Sequence, residues 1–468
     1  MVELEQVYGG LSQRHLSEEI RKWARIHGFV FEDGTALPVS LVPQSIKKEL
    51  FDRAAELAPL FNKLIHRMAQ DSEFLFGAFE NLGDPLIERL LWVLKHVMDE
   101  GGYAQKVMLG IHRSDYMFER ERMLQVEINT ISAAFGYLST LVGRLQRYVS
   151  EKCAGQKMQK PESQQNDTLG AYAEAFQKAM ELYRCSMRGK CKEDLVVLMI
   201  VEETEFNTMD QYGLICSLWD MCRIRMIQRG FSWLSKNARL DANTRALILE
   251  ERYEVGVVYY RTGYRLEDYD GGYRDWDTRL LIERSMAIKC PSVVYQLLGA
   301  KIVQQIWSQG QVLEKYLDSA EECQKLRDCF AQFFLLDVPP DEWNSLMDKI
   351  RSNPNGYVLK PQREGGGSLL WREEMVRFLE NLQPKDRRAY TLMQRIFPQL
   401  QRSLVYMKGT CIPGEISSEL GIFCFMLADD KQVYINRYGG WVLRSKQAHQ
   451  EDGGIVSGRA FLNEILLT

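Results

Sequence analysis

Apolar residues recur at helical spacing through the first hundred positions and at alternating spacing soon afterwards, so the chain opens as helix and turns to strand. Ile87, Leu90, Leu91, Leu94 and Met98 share one helical face. Asp84 caps that run, Pro85 suits its first turn, and Gly101-Gly102 ends it. Residues 113–130 change period: in Leu124-Gln-Val-Glu-Ile-Asn129 apolar and polar residues alternate, which predicts a strand with one buried face. Residues 151–168 are polar and predict a loop between substructures. Beyond them, an apolar run at 195–201, a helix over 212–229 and a run at 256–260 predict a parallel α/β unit of roughly one hundred residues. Short strands are predicted at 357–360, 390–396, 419–426 and 441–446, separated by helical or glycine-rich pieces, with no internal repeat.

A length of 468 residues exceeds one comfortable core, so two or three packed domains are expected. Hydrophobic residues make up 46% and charged residues 26%, and the net charge of −4 gives no general attraction for nucleic acid or an acidic membrane. No stretch has the roughly 18 to 20 apolar residues of a membrane span, and the acidic start lacks a signal-peptide core, so a cytoplasmic location is expected. Ten cysteines without a C-x-x-C pair read as free thiols in a reducing compartment. Six histidines never approach metal-ligand spacing, and neither a Walker loop nor a G-x-S-x-G elbow is present.

Three charged patterns carry chemistry. In Tyr357-Val-Leu-Lys-Pro-Gln-Arg-Glu-Gly-Gly-Gly-Ser368, Lys360 ends a short strand, Glu364 is a carboxylate suited to a hard cation, and Gly365, Gly366 and Gly367 let backbone N–H groups reach an anion. The run reads as a loop closing over phosphates or as a flexible connector. Glu127 and Asn129, two apart on the alternating strand, leave the same face roughly 7 Å apart and form either a pair of cation ligands or a solvated face. Arg444 and Lys446 share a strand face in the same way, as an anion site or as charges on an exposed edge. Glu419 is a candidate acceptor for ribose hydroxyls, or a surface glutamate.

Arg113-Ser-Asp-Tyr-Met-Phe118, Gln125-Val-Glu-Ile-Asn-Thr-Ile-Ser132, Lys360-Pro-Gln-Arg-Glu-Gly-Gly-Gly367, Ser418-Glu-Leu-Gly-Ile-Phe423 and Leu443-Arg-Ser-Lys446 together resemble the eukaryotic glutathione synthetase family, in order over nearly the whole chain. The resemblance implies a mixed α/β ATP-grasp fold. It places a helical part over residues 1–110, a catalytic core over 111–195 and 300–468 with a glycine-rich lid near 360–400, and an inserted parallel α/β substrate-binding domain over 196–299. It implies an ATP-dependent ligase that joins γ-glutamylcysteine to glycine with ATP and two magnesium ions (Mg2+), as a homodimer acting on neither nucleic acid nor membrane. Glu127, Asn129 and Glu364 would hold magnesium. Lys301, Lys360 and Lys446 would bind phosphates, Met393, Gln394, Arg395 and Ile396 the adenine, and Glu419 the ribose. Gly365 to Gly367, Trp371 and Asp452 complete the implied nucleotide site. Arg113, Ser132, Glu205, Asn207, Gln211, Arg261 and Tyr264 would hold the dipeptide, with Arg444, Ile455 and Val456 at the glycine end. Arg113, Lys360, Arg444 and Lys446 are the implied catalytic set.

The chain departs from the family pattern in four places. Ala134 stands for a serine, Thr262 for an aspartate, Leu369 for an asparagine, and Ile455-Val456-Ser457 for Val-Ala-Ala. The lost hydroxyl at Ala134 removes one hydrogen bond, about 1 kcal/mol of dipeptide binding, and bulkier Val456 narrows the acceptor end. A different acceptor, β-alanine or serine, and a non-catalytic nucleotide-binding relative are the rival readings. Retention of Lys360, Glu364, Glu127 and Asn129 speaks against a decayed site.

Overall fold

Helices from the first hundred residues supply the apolar faces that cover the main sheet of this computed structural model, which describes residues 12–153, 166–188, 191, 194–362, 369–450, 453–455 and 458–468. Helix α1 (Lys48–Met68) buries Phe51, Leu57, Phe61 and Leu64. Helix α2 (Pro85–Asp99) begins as the sequence predicts: Asp84 Oδ1 accepts from the N–H groups of Leu86 (3.0 Å) and Ile87 (3.1 Å). It ends where Gly101 and Gly102 take φ of 92° and 90°, a region costly for any residue with a Cβ.

Strands β1 (Met108–Glu119) and β2 (Arg122–Asn129) form an antiparallel pair with one irregularity. Tyr116 pairs with Gln125 but Asp115 pairs with Glu127, so Val126 is an extra residue, a bulge that turns its carbonyl out of the ladder. Of the stretch predicted as a loop, residues 151–153 belong to a π-helical turn (Val149–Cys153), 154–165 lie outside the described residues, and Thr168 already begins a helix. Asp167 caps helix α3 (Thr168–Ser186) through the N–H of Gly170, and the buried stripe of Ala171, Ala175, Phe176 and Ala179 packs it on the sheet.

The predicted α/β unit is present, with two corrections. Strand β3 (Leu195–Ile200) lies between β4 (Met226–Arg229) and β5 (Tyr253–Tyr260) and is parallel to both. Helix α4 (Thr208–Cys222), between β3 and β4, stops well before residue 229. Arg223 adopts φ of 55°, and Ile224 and Met226 then alternate with charged residues and are buried at strand spacing. The sheet is also not wholly parallel, because the hairpin of Ala238–Leu240 and Leu247–Leu249 adds antiparallel strands at one edge.

Helix α5 (Lys301–Trp307) leads toward a small sheet ordered Leu370–Trp371, β6 (Tyr357–Pro361), β7 (Tyr390–Gln394) and Phe333–Phe334. Two long strands follow, β8 (Thr410–Ala428) and β9 (Val433–Gln447). The seven-stranded main sheet runs Gln401–Met407, Val39–Ser40, Ala460–Asn463, β9, β8, β1, β2. Strand β9 is therefore interior, which removes the exposed-edge reading of Arg444 and Lys446. Helix α1 packs on Leu420, Ile422 and Leu443 from one side, and Tyr172 of α3 meets Phe423 and Phe425 from the other. Burial on both faces explains the almost unbroken apolar run of β8, each large side chain contributing about 1.5–3 kcal/mol.

Candidate active site

Four neighbouring strands, β9, β8, β1 and β2, place charged residues side by side. Arg444 pairs with Glu419, Asp115 lies opposite both Gly421 and Glu127, and Arg113 lies opposite Asn129. Arg113 and Asp115, two apart, share a face of β1 as the pleat requires. Asp115 has no exposed surface. Its Oδ1 accepts from Arg113 Nε (2.7 Å), and its Oδ2 accepts from Arg113 Nη2 (2.9 Å), Asn129 Nδ2 (2.9 Å) and Arg444 Nη2 (2.7 Å). Arg444 also donates to Glu419. Gly421 makes room for this arrangement: a Cβ there would lie 2.7 Å from Arg113 Cδ and 2.8 Å from Asp115 Oδ1.

Two lysines from distant elements close on the same cluster. Lys301, at the start of α5, lies 3.0 Å from Glu127 Oε2, and Lys360 of β6 donates to the carbonyl of Val126 at 3.1 Å, the one freed by the bulge. Burial pushes the Glu127 carboxyl up, but Lys301, Lys360 and Arg444 outweigh it and hold the group well below the usual carboxylate range. Burial lowers the Lys360 ammonium from its ordinary value, against the pull of Glu127. It raises Glu419, with Asp115 and Glu127 adding to the rise and Arg444 opposing it. Four cationic groups (Arg113, Arg444, Lys301, Lys360) thus face three carboxylates (Asp115, Glu127, Glu419). The surplus of positive charge suits anionic ligands, and Arg444, with 22% of its side chain exposed, reaches out of the cluster toward them.

A second group surrounds Asp210, at the start of α4. Its carboxylate accepts from the backbone N–H groups of Phe135 (2.8 Å), Tyr137 (3.1 Å) and Leu138 (3.1 Å) and from Arg261 Nη1 (3.1 Å). This holds the turn after β2, in which Ser132 and Phe135 take φ of 53° and 73°. Ser132 Oγ donates to the carbonyl of Arg261 at 2.8 Å. Around the Asp210–Arg261 pair, Arg261 Nε, Asn207 Oδ1, Gln211 Nε2 and Thr262 Oγ1 are buried without a hydrogen-bond partner among the described residues. Each such atom costs about 1–3 kcal/mol, so their gathering in one neighbourhood suits a polar ligand. Glu205 Oε1 accepts from the N–H of Asn207, and Tyr264 packs partly buried beside Gly263, whose carbonyl accepts from Gln296. Arg113 joins the two groups through a 3.4 Å hydrogen bond from Nη1 to the carbonyl of Ala134.

Of the remaining sequence candidates, several lie on the small sheet and on β9. Met393 and Ile396 pack with Val358 against Leu124 of β2, Gln394 N–H donates to Gln332, and Arg395 stacks between Trp371 and Phe397, 5.2 Å from each ring centroid. Lys446 lies opposite Ser417 on β8, and Ile455 is buried in the core. Glu364, Gly365, Gly366, Gly367, Asp452 and Val456 lie outside the described residues. Asp115, Asp210 and Gln362 escape the sequence reading. Gln362 accepts from the N–H of Ile302 (2.7 Å) and donates to the carbonyl of Arg388 (3.0 Å), tying the small sheet to α5. For the expected magnesium, Glu127 offers an ionised carboxylate, and Asn129, its nitrogen held by Asp115 and by the Arg113 carbonyl, offers an amide oxygen. Both are hard oxygen donors of the type such a cation takes.

The family model for the ATP-binding domain of eukaryotic glutathione synthase matches residues 11–467. Glutathione synthetase from Homo sapiens is 35% identical over 438 residues, covering 91% of this chain and 89% of that protein. The chloroplastic glutathione synthetase of Solanum lycopersicum is also 35% identical over 438 residues, covering 92% and 77%, and the Dictyostelium discoideum enzyme is 33% identical over 446, covering 92% of each. Among solved structures, a glutathione synthetase-like effector from Globodera pallida in its apo form superposes with a TM-score of 0.76 over 97% of each chain at 22% identity, a likeness of fold.

Proposed function

The chain belongs to the eukaryotic glutathione synthase family, and on that premise we propose which of its residues serve each substrate. It is an ATP-dependent ligase of glutathione synthesis with a mixed α/β, ATP-grasp type fold. The substrates are ATP, γ-glutamylcysteine and glycine. The observation that carries the assignment of residues is the convergence of Arg113, Arg444, Lys301 and Lys360 on Asp115, Glu127 and Glu419 across four adjacent strands.

Lys301, Lys360 and Lys446 take the phosphates, Met393 to Ile396 and Trp371 flank the adenine, and Glu419 faces the ribose. Arg113, Ser132, Glu205, Asn207, Gln211, Arg261 and Tyr264 receive the dipeptide, supported by the unpartnered buried atoms beside Asp210. The cysteinyl carboxylate attacks the γ-phosphorus, the bond from that phosphorus to ADP breaks, and an acyl phosphate forms. The amine of glycine then attacks the acyl carbon and phosphate leaves, the acceptor's carboxylate resting on Arg444. The lysines stabilise the charge that moves from the triphosphate, and the walls hold reactants close while keeping water from the acyl phosphate. Glu127 and Asn129, with Glu364, would hold magnesium, which when bound neutralises phosphate charge.

A homodimer in the cytoplasm is part of the same proposal. Tyr212 and Trp219, seven residues apart on one face of α4, are exposed and offer apolar surface for self-association, and no helix among the described residues is long and apolar enough to cross a membrane. The test is ADP release with γ-glutamylcysteine and, separately, glycine, β-alanine or serine. Glycine is expected to give the highest turnover. Absence of ADP release with glycine would remove this reading, and preference for another acceptor would move the glycine end alone.

A further inference from the structure

Beyond the residues that touch substrates, we propose that Asp115 is a positioning residue that holds Arg113 and Arg444 at one fixed spacing and so couples the dipeptide half of the site to the acceptor half. The inference rests on the roles given above to those two arginines. Asp115 is fully buried in the middle of β1, paired on one side with Glu127 and on the other with Gly421, so its carboxylate cannot swing away. It grips Arg113 with two parallel hydrogen bonds of 2.7 and 2.9 Å, the geometry that fixes a guanidinium in plane as well as in place. The same Oδ2 receives Arg444 at 2.7 Å from a strand 329 residues away in sequence. Two guanidinium groups this close repel, and a carboxylate between them cancels the repulsion while setting their separation.

Gly421 is the other half of the device. The Arg113–Asp115 fork lies over the space where its side chain would stand, since a Cβ on Gly421 would come within 2.7 Å of Arg113 Cδ. The four hydrogen bonds that Asp115 accepts among the described residues come from side chains and not from backbone. Arg444 keeps a second carboxylate, Glu419, so it stays in the site without Asp115 but loses its register to Arg113.

The experiment is steady-state kinetics on Asp115→Asn, which keeps the shape and removes the charge, with each substrate varied in turn. The KM values for γ-glutamylcysteine and for glycine are both expected to rise about tenfold or more while the KM for ATP stays within about twofold. An unchanged KM for either amino-acid substrate overturns the coupling, and so does a parallel rise in all three. If the variant fails to fold, Gly421→Ala, which leaves the aspartate and crowds the fork, decides: both amino-acid KM values rise, or the proposal falls. Should the wild type release no ADP with glycine, the substrate reading has failed rather than the coupling. A calorimetric isotherm for γ-glutamylcysteine with wild type and Asp115→Asn then decides, unchanged affinity in the variant overturning the role of Asp115.

Discussion

Asp115 and Asp210 are both buried aspartates bonded to an arginine, yet they hold different things. Asp210 accepts three backbone N–H groups and fixes the path of a turn, whereas Asp115 accepts from side chains and fixes the aim of two arginines and an amide. A carboxylate bonded to main chain is part of the fold, because its loss strands N–H groups that nothing else satisfies. A carboxylate bonded to charged side chains is part of the chemistry as well, because its loss misaligns the groups that meet the substrates. Stability and turnover should therefore separate between the two regions.

The largest test of that separation is Asp210→Ala. Removing the acceptor of three backbone donors and of buried Arg261 is expected to cost about 4 kcal/mol of unfolding free energy in a denaturant titration. A loss under about 1 kcal/mol would show that the turn does not depend on Asp210. Lys360→Met probes the other region. It should cut kcat/KM about a hundredfold or more, near 3 kcal/mol of transition-state stabilisation. The denaturation midpoint should hold or rise, because a buried ammonium is replaced by an apolar chain of similar length. A fall in midpoint matching the fall in rate would erase the distinction.

Glu464 offers a third case, a half-buried carboxyl. It accepts from Trp441 Nε1 (3.1 Å) and from the N–H of Ile465 (2.9 Å), and burial pushes it up to about 7. Its folded-state value lies above the ordinary 4.5, so the folded chain binds this proton more tightly than the unfolded chain. That contribution is fully present below about pH 4.5 and is lost as pH rises toward 7, at most about 3 kcal/mol. Glu464→Gln should flatten the stability profile between those limits, and an unaltered slope would show that Glu464 does not set it. The smallest effect is expected at the junction of the two regions. Ala134→Ser restores a hydroxyl beside the carbonyl that Arg113 meets and should tighten dipeptide binding by about 1 kcal/mol, roughly fivefold in Kd, by calorimetry.

Much of the architecture is legible in local pattern. The cap at Asp84, the alternation through Asn129 and the apolar runs of β3 and β5 each record a constraint that acts between near neighbours. The pattern makes helix α4 too long because its long apolar side chains continue past Cys222, and the switch to strand spacing spans only a few residues. In the site, Glu127, Lys360, Arg113 and Arg444 are marked by sequence motifs and Lys301 only by the family resemblance, and they stand together. Asp115 stays hidden although it sits within the Arg113 to Phe118 motif. An aspartate two residues from an arginine on a strand looks like any surface pair, and its value comes from register with β8 and β9, hundreds of residues on. Asp210 is hidden for a similar reason: an acid in the first turn of a helix already has an ordinary local explanation. The contributions of the glycine triplet and Glu364 fall outside the described residues.

Gly421 also bears on how this chain can vary over generations. Any side chain at that position, alanine included, would crowd the Arg113–Asp115 fork before it met the apolar contacts of β8. Such an allele would misalign the two arginines, and its lesion would be read in the tripeptide product and not in total thiol, which the substrate dipeptide already carries.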